Sequence, residues 1–422
     1  MRRYPLLIMA IMLILTSCTA NESTTSQSII GAEATARIDS TLNSFVETGA
    51  VAGTSALIFE DGEEVYFNAF GYADRGNQVP MDRNTIVQIF SMTKPITGVA
   101  LMTLYEEGAF QLDEPVDKYL PEFSDLQVFE GLEDNGDPIL VEPGRALTIR
   151  DLTRHTSGFA NDTGQEYVGP LLEQAAPMNR ENTLTQFAEK LGSLPLVFHP
   201  GEEWYYGPSV DVQAVLVERL SGQPFDEYVR EHILDPLGMN ETRYFVPEGD
   251  RERLAATYRS TEGDSLARVP DEQAKAFNTN RWPLTPGGWG YTSTLDDYMT
   301  FAQMLVHEGE LNGEQILKPE TVKLMATNHL SEDVTERRWL PSKGQVGFGI
   351  DFAVRLRPPA SAEENNGVVG EFFWDGAAST LFWVDPKNEL TAVFFVQKFP
   401  FDGRLHKDFR DAVYGSFDQT EL

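Results

Sequence analysis

Apolar and polar positions alternate through residues 52–72, on both sides of Asp61-Gly62, in the stretch GTSALIFEDGEEVYFNAFGY. That period of two predicts a β-hairpin closed by a tight Asp-Gly turn. Near the other end, EFFWDGAASTLFWVDPKNELTAVFFVQ is almost continuously apolar and is broken at Asp385-Pro386-Lys387-Asn388. It predicts further strands joined at those residues. Between about residues 112 and 281 the period changes. Runs such as DVQAVLVERLSG and FDEYVREHIL place apolar residues three and four apart, in a loop-rich background. With strands at both ends and helices between them, the economical assembly is an α+β fold. One antiparallel sheet is made from the N- and C-terminal segments and flanked by helices. Residues 35–111 and 282–422 form this α/β domain, and 112–281 form a mostly helical inserted domain.

The stretch QIFSMTKP, residues 88–95, sits at a change of pattern. After it, Ile96, Val99, Ala100, Leu104 and Tyr105 have the spacing of an amphipathic helix ending near Gly108. Pro95 belongs in its first turn, where a missing N–H does no harm. Ser91 therefore sits at or just before the helix N-terminus, and Lys94 follows one turn later on the same face. A hydroxyl placed there has free backbone N–H groups beside it and a favourable dipole for developing negative charge. A neutral lysine amine could take the hydroxyl proton, given burial and neighbours that favour the neutral form. A serine N-cap followed by a solvated lysine has the same pattern.

Residues 199–222, HPGEEWYYGPSVDVQAVLVERLSG, place Tyr205 and Tyr206 in a loop before a helix that starts near Pro208-Ser209. Tyrosine and lysine have similar reference pKa values, about 10 and 10.4. A tyrosine held beside Lys94 could share one proton with it, and the two would titrate as a unit. Packing beside Trp204 is the alternative use of both rings.

Composition narrows the setting. The 422 residues include 33 Lys and Arg against 65 Asp and Glu, a net charge of −32. Such a surface repels phosphates and argues against a nucleic-acid partner. The single cysteine, Cys18, rules out an intrachain disulfide. It follows Arg2, Arg3 and the apolar run LLIMAIMLIL, within the tetrad Leu15-Thr16-Ser17-Cys18. That order resembles a bacterial lipoprotein signal, which predicts a leader over 1–18, lipidation of Cys18 and a flexible tether over 19–34. The expected location is exported and lipid-anchored to a bacterial membrane.

The blocks carrying these residues resemble, in order, the serine β-lactamase and penicillin-binding superfamily. The likeness is to class C β-lactamases and most of all to their esterase relatives, the family VIII carboxylesterases. It runs over about residues 36–415 through residues 71–123, LTIRDLTRHTSGF, PGEEWYYGPSVDV, GGWGYTSTLDDYMTFAQML and FFWDGAASTLFWVDP. The resemblance implies a β-lactamase/transpeptidase-like fold. It makes Ser91 the nucleophile, Lys94 its partner and Tyr206 the catalytic tyrosine of the W-x-Y pattern. Trp374-Asp375-Gly376 stands in the place of the Lys-Thr-Gly strand motif. The N–H groups of Ser91 and Ala377 form the implied oxyanion hole, and Trp374, Gly376 and Tyr205 the implied substrate-binding set.

Two departures bear on substrate. No Lys-Thr-Gly or His-Thr-Gly occurs, and Trp374 offers an apolar wall where β-lactamases place a lysine that helps bind the substrate carboxylate. Pro208 stands where these β-lactamases carry an asparagine two residues after the tyrosine. Both changes fit neutral esters better than β-lactams. The six histidines form no H-E-x-x-H motif and no cysteine lies beside them, so no metal or other cofactor is expected. His155 is expected to order a loop near the cleft, and the glycines of residues 286–290 to let backbone pack closely there. The sequence therefore reads as a serine hydrolase of small-molecule carboxylic esters with small to medium acyl groups. Two alternatives are a β-lactamase or D-amino-acid peptidase, and a non-catalytic lipoprotein of the same fold. The chain carries no signal of oligomeric state.

Overall fold

The computed structural model describes residues 28–263 and 265–417. The expected leader, Cys18 and most of the expected tether lie outside these residues. The last tether residues are anchored rather than free. Ser28 Oγ donates to Glu60 at 2.7 Å, and the Ile29 and Ile30 N–H groups donate to the same carboxylate at 2.6 and 3.2 Å. Helix α1 (Ala32–Glu47) begins immediately after and buries Ala34, Ile38, Leu42 and Phe45 along one face.

The N-terminal hairpin consists of β1 (Gly53–Glu60) and β2 (Glu63–Asp74). Asp61 and Gly62 both take positive φ, 53° and 77°, the geometry that matches a two-residue turn to the twist of the strands. The expected alternation fails on β1, which is buried almost throughout. It lies inside the sheet with helices over both faces, so neither side meets water. After β2 come the short edge strand β3 (Val79–Pro80) and helix α2 (Thr93–Glu106). The middle of the chain is less helical than the pattern suggests, since it contains a second hairpin, β4 (Val128–Leu132) and β5 (Pro138–Val141). It also contains α3 (Ser209–Ser221). The chain then returns through α4 (Leu295–Val306), β6 (Val346–Phe348), β7 (Ala353–Arg355), β8 (Phe372–Asp375), β9 (Leu381–Asp385), β10 (Leu390–Val396) and α5 (Gly403–Tyr414).

One eight-stranded antiparallel sheet runs in the order β6-β7-β8-β9-β10-β1-β2-β3. The two ends of the chain meet where β1 pairs with β10, from Thr54 opposite Val396 to Glu60 opposite Leu390. The sheet is therefore assembled from both termini, as expected, and its order is now defined. Buried Glu371, just before β8, accepts from Arg355 at 2.8 Å and from Arg410 of α5 at 2.7 Å. Charges this deep are tolerated because each is paired. They lock the approach to β8 against α5.

Helix α2 departs from the amphipathic expectation. Every residue from Thr93 to Met102 is buried, with the polar ones included. It runs through the interior with α3 along one side, and Gly98 marks its closest approach. A Cβ there would lie 2.7 Å from Asp351 Oδ2. The helix that carries Lys94 is thus held from all sides, which keeps its first turn rigid.

Candidate active site

Ser91 lies in a 3₁₀ turn, Phe90–Met92, that runs straight into α2. Phe90 has φ of 47°, an uncommon conformation for a bulky residue, and it turns the chain abruptly before the helix. The turn is pinned from outside. Tyr298 Oη donates to the Met92 carbonyl at 2.7 Å, and Ile89 N–H donates to the Tyr291 carbonyl at 3.1 Å. One turn on, Lys94 Nζ lies 3.2 Å from Ser91 Oγ and donates to the Gly288 carbonyl at 2.6 Å. Lys94 is buried.

Gly288 belongs to the glycine run singled out in the sequence, and the expectation of close packing holds. A Cβ on Gly287 would lie 2.4 Å from the Val210 carbonyl, and one on Gly288 would lie 2.8 Å from Asp211 Oδ2. Without side chains this backbone comes close enough to present a carbonyl to the lysine. Asp211 Oδ1 accepts from the Gly288 N–H at 2.9 Å and so orients that peptide.

Tyr206 follows the two-residue strand Trp204–Tyr205, which pairs in parallel with Arg337–Arg338. Its ring centroid is 4.5 Å from Lys94 Nζ. Neighbouring residues of an extended segment point to opposite sides, so Trp204 and Tyr206 share a face and Tyr205 takes the other. Trp204 and Tyr206 stack with an interplanar angle of 21°. Tyr205 is buried against Phe198 and Trp339, with the Arg338 guanidinium 4.8 Å from its ring centre. The structure thus corrects its expected place among the substrate-binding residues. Its hydroxyl is buried and has no hydrogen-bond partner among the described residues.

Trp374, expected as an apolar wall, is 2% exposed and cannot present a broad face to a ligand. It acts on the tyrosine instead. Its indole N–H donates to Tyr206 Oη at 3.3 Å, and the two rings lie 5.4 Å apart. Gly376 is a close-packing position. A Cβ there would fall 2.5 Å from the Ile89 carbonyl, so glycine lets the end of β8 touch the turn that carries Ser91. Its own N–H donates to the Thr380 carbonyl at 3.0 Å. The N–H groups of Ser91 and Ala377 donate to no backbone carbonyl among the described residues.

Three buried titratable groups surround the lysine. Burial, reinforced by the Lys94 charge, holds the His155 imidazole well below its ordinary value. It is a neutral ring packed 4.7 Å from Tyr206, and its carbonyl accepts the Tyr205 N–H at 2.9 Å. His155 therefore orders the loop that carries the tyrosine, as expected. Burial lifts the Asp351 carboxyl well above the usual range, although Gln213 Nε2 donates to it at 3.0 Å. Burial also lifts Asp211 to about 6, against the opposing pull of Lys94 and the Gly288 N–H.

The Asp211 shift has a testable consequence. The folded protein holds this proton more tightly than the unfolded chain does. Stability supplied by the proton is complete below about pH 4 and is lost as the pH rises through about 6. The gap between 3.8 and about 6 is worth roughly 3 kcal/mol. Asp211→Asn keeps the acceptor for Gly288 N–H and removes the titration. Urea midpoints taken from pH 4 to pH 7 are expected to fall less for the variant than for the wild type. Superimposable profiles would refute the assignment.

The sequence reading missed Gly288 and Asp211 as individual contributors, and it missed Lys343. This lysine comes from a turn far from the strand motif, yet its Nζ lies 5.4 Å from the Trp374 ring centre and pairs with Asp375. The structure thus brings a lysine beside the strand that lacks one, already engaged by a carboxylate. No local pattern announces it. Among the described residues no cluster of His, Cys, Asp and Glu could hold a metal ion.

A sheet built from both termini, with a Ser-x-x-Lys turn opening a buried helix beneath it, is the arrangement of the β-lactamase/transpeptidase-like proteins. Residues 38–415 match the Beta-lactamase family, and the chain belongs to that family. An uncharacterised Mycobacterium tuberculosis protein is 33% identical over 383 residues, which cover 89% of this chain and 92% of that protein. Esterase EstB of Burkholderia gladioli is 28% identical, over 92% of this chain and 97% of its own. The solved structure of EstCE1, a hydrolase with promiscuous acyltransferase activity, superimposes with a TM-score of 0.74 at 26% identity, covering 91% of this chain and 99% of that one.

Proposed function

We propose that the protein is a serine hydrolase that cleaves small-molecule carboxylic esters through an acyl-enzyme on Ser91. The observation that carries this is the approach of Lys94 Nζ to 3.2 Å from Ser91 Oγ, with the Tyr206 ring over the same amine. Ser91 Oγ attacks the acyl carbonyl, and its proton passes to the Lys94/Tyr206 pair. The Ser91 and Ala377 N–H groups receive the oxyanion, a contribution worth about 10²–10³ in rate per donor. The pair returns the proton to the departing alcohol. Water, deprotonated by the same pair, then releases the acid and restores Ser91. Gly288 and Asp211 hold the amine in place, and Trp374 holds the phenol.

Esters are favoured over β-lactams by the groups around Ser91. Pro208 has no amide side chain, and Lys343 is already paired with Asp375 rather than free for a substrate carboxylate. Esterase EstB, named as an esterase, and the hydrolase EstCE1 support the same choice. Turnover of p-nitrophenyl butyrate and nitrocefin, measured side by side, tests it. A higher kcat/KM for the ester is expected, and much faster nitrocefin turnover would reverse the assignment to a β-lactamase.

Lipidation at Cys18 and export belong to the same proposal, supported by the leader-like run and the Leu-Thr-Ser-Cys tetrad. No helix among the described residues is long and apolar enough to cross a membrane. The full chain expressed in bacteria is expected to enter the detergent phase on Triton X-114 partitioning, and Cys18→Ser to leave it. Equal partitioning of the two would remove the anchor from the proposal.

A further inference from the structure

A cavity of about 260 Å³, lined by Phe90 and Trp289, has no part in the chemistry described so far. That is close to the lower end for small-molecule sites. Its walls include Phe90, Phe277, Trp289 and Phe399 and two arginines, Arg180 and Arg259. Two of its walls are chain neighbours of the site. Phe90 is the residue before Ser91, and Trp289 is the residue after Gly288, whose carbonyl holds Lys94.

Each arginine reaches those elements through aromatic rings. Arg259 Cζ is 5.7 Å from the centre of Phe399, which meets Phe90 edge-on at 5.2 Å. Arg259 sits on the strand Tyr258–Ser260, which pairs in parallel with Lys398–Phe399. Arg180 Cζ is 5.7 Å from the centre of Phe277 and 5.6 Å from that of Trp282, and Phe277 lies 4.5 Å from Trp289.

Neither guanidinium makes a side-chain hydrogen bond or an ion pair among the described residues. Arg259 is exposed and Arg180 half-buried, so both are open to a partner from solution. Asp271, two residues before the lining residue Gln273, is committed elsewhere. It takes Arg268 at 2.8 Å and Lys275 at 3.6 Å. The side-chain contacts of Arg180 and Arg259 are with rings, so their N–H donors are not taken by a protein acceptor among the described residues. A guanidinium in that state is suited to a carboxylate, which matches its fork bidentately.

We propose that this cavity is a carboxylate-binding subsite and that the preferred esters carry a free carboxylate on the acyl or the alcohol part. The inference rests on the ester-hydrolase reading and deepens it. The two arginines act on a distal charge of the substrate and leave the ester carbonyl to Ser91 and its neighbours. They also supply local positive charge on a molecule whose overall charge repels anions.

Two matched ester pairs test this. p-Nitrophenyl hemiglutarate against p-nitrophenyl valerate places the charge on the acyl side, and 4-acetoxybenzoate against 4-acetoxybenzamide places it on the alcohol side. The readout is the ratio of kcat/KM for the charged ester to that for its neutral partner. In Arg180→Gln/Arg259→Gln the ratio is expected to fall about tenfold to a hundredfold for one of the pairs. Arg180→Lys/Arg259→Lys keeps the charge but not the fork and is expected to fall between the wild type and the glutamine variant, which guards against a folding artefact. Ratios equal to the wild type in both pairs would overturn the subsite while leaving ester hydrolysis standing. A wild-type protein that turns over neither member of either pair would overturn both.

Discussion

Ser91→Ala is expected to lower kcat for p-nitrophenyl butyrate about 10⁶-fold, the loss seen when a serine hydrolase is deprived of its nucleophile. The substitution removes one atom whose hydrogen bond is to Lys94 at 3.2 Å. The turn around it is held by groups that the change does not touch, the Met92 carbonyl by Tyr298 and the Ile89 N–H by Tyr291. The variant should therefore melt with the wild type, so the activity loss reads chemistry and not unfolding. A fluorophosphonate probe is expected to label the wild type at Ser91 and to leave the variant unlabelled. Residual turnover within tenfold of the wild type would end the acyl-enzyme proposal. Failure of the probe to label Ser91 would move the protein to the non-catalytic alternative.

Tyr206→Phe is expected to cut kcat by about 10²–10⁴-fold, the range for loss of a positioned acid–base group. The ring remains, so the stack on Trp204 and the contact with the amine of Lys94 survive. What is lost is the oxygen, and with it the acceptor for the Trp374 indole N–H. A buried donor left without a partner costs about 1–3 kcal/mol, which should register as a modest drop in melting temperature. Tyr205→Phe is the control. Its hydroxyl has no partner among the described residues, so that variant should keep near wild-type turnover and lose no stability. If the two variants changed places, the adjacent tyrosine would be the acid–base group and the assignment of residue 206 would fall.

Much of this site is legible in the sequence. The 90–95 segment declared itself because a proline-tolerant helix start follows directly on a serine and a lysine three apart. The Asp61-Gly62 turn declared itself because few residue pairs accept positive φ twice in succession. Trp374 and Tyr205 were placed near the site, but their tasks were misread. Their contacts depend on which side of a short strand each one faces, and strands of two residues for Tyr205 and four for Trp374 are too short to show a period. The burial of α2 was misread for a related reason. Its apolar positions look like one stripe, and only the presence of α3 and Asp351 on the remaining sides makes the whole first half interior.

The chain by itself determined its family, the α+β assembly from two termini, and the Ser91, Lys94 and Tyr206 candidates. Each of these is written in local spacing: a period, a turn pair, or a short motif in order. Tertiary structure alone decided that Gly288 presents its carbonyl to Lys94, that Trp374 serves the phenol, that Lys343 is taken by Asp375, and that two arginines stand unpaired in one cavity. Those partners are separated by tens to hundreds of residues. No local pattern encodes their meeting, because it follows from the order of strands in the sheet and the packing of loops around it.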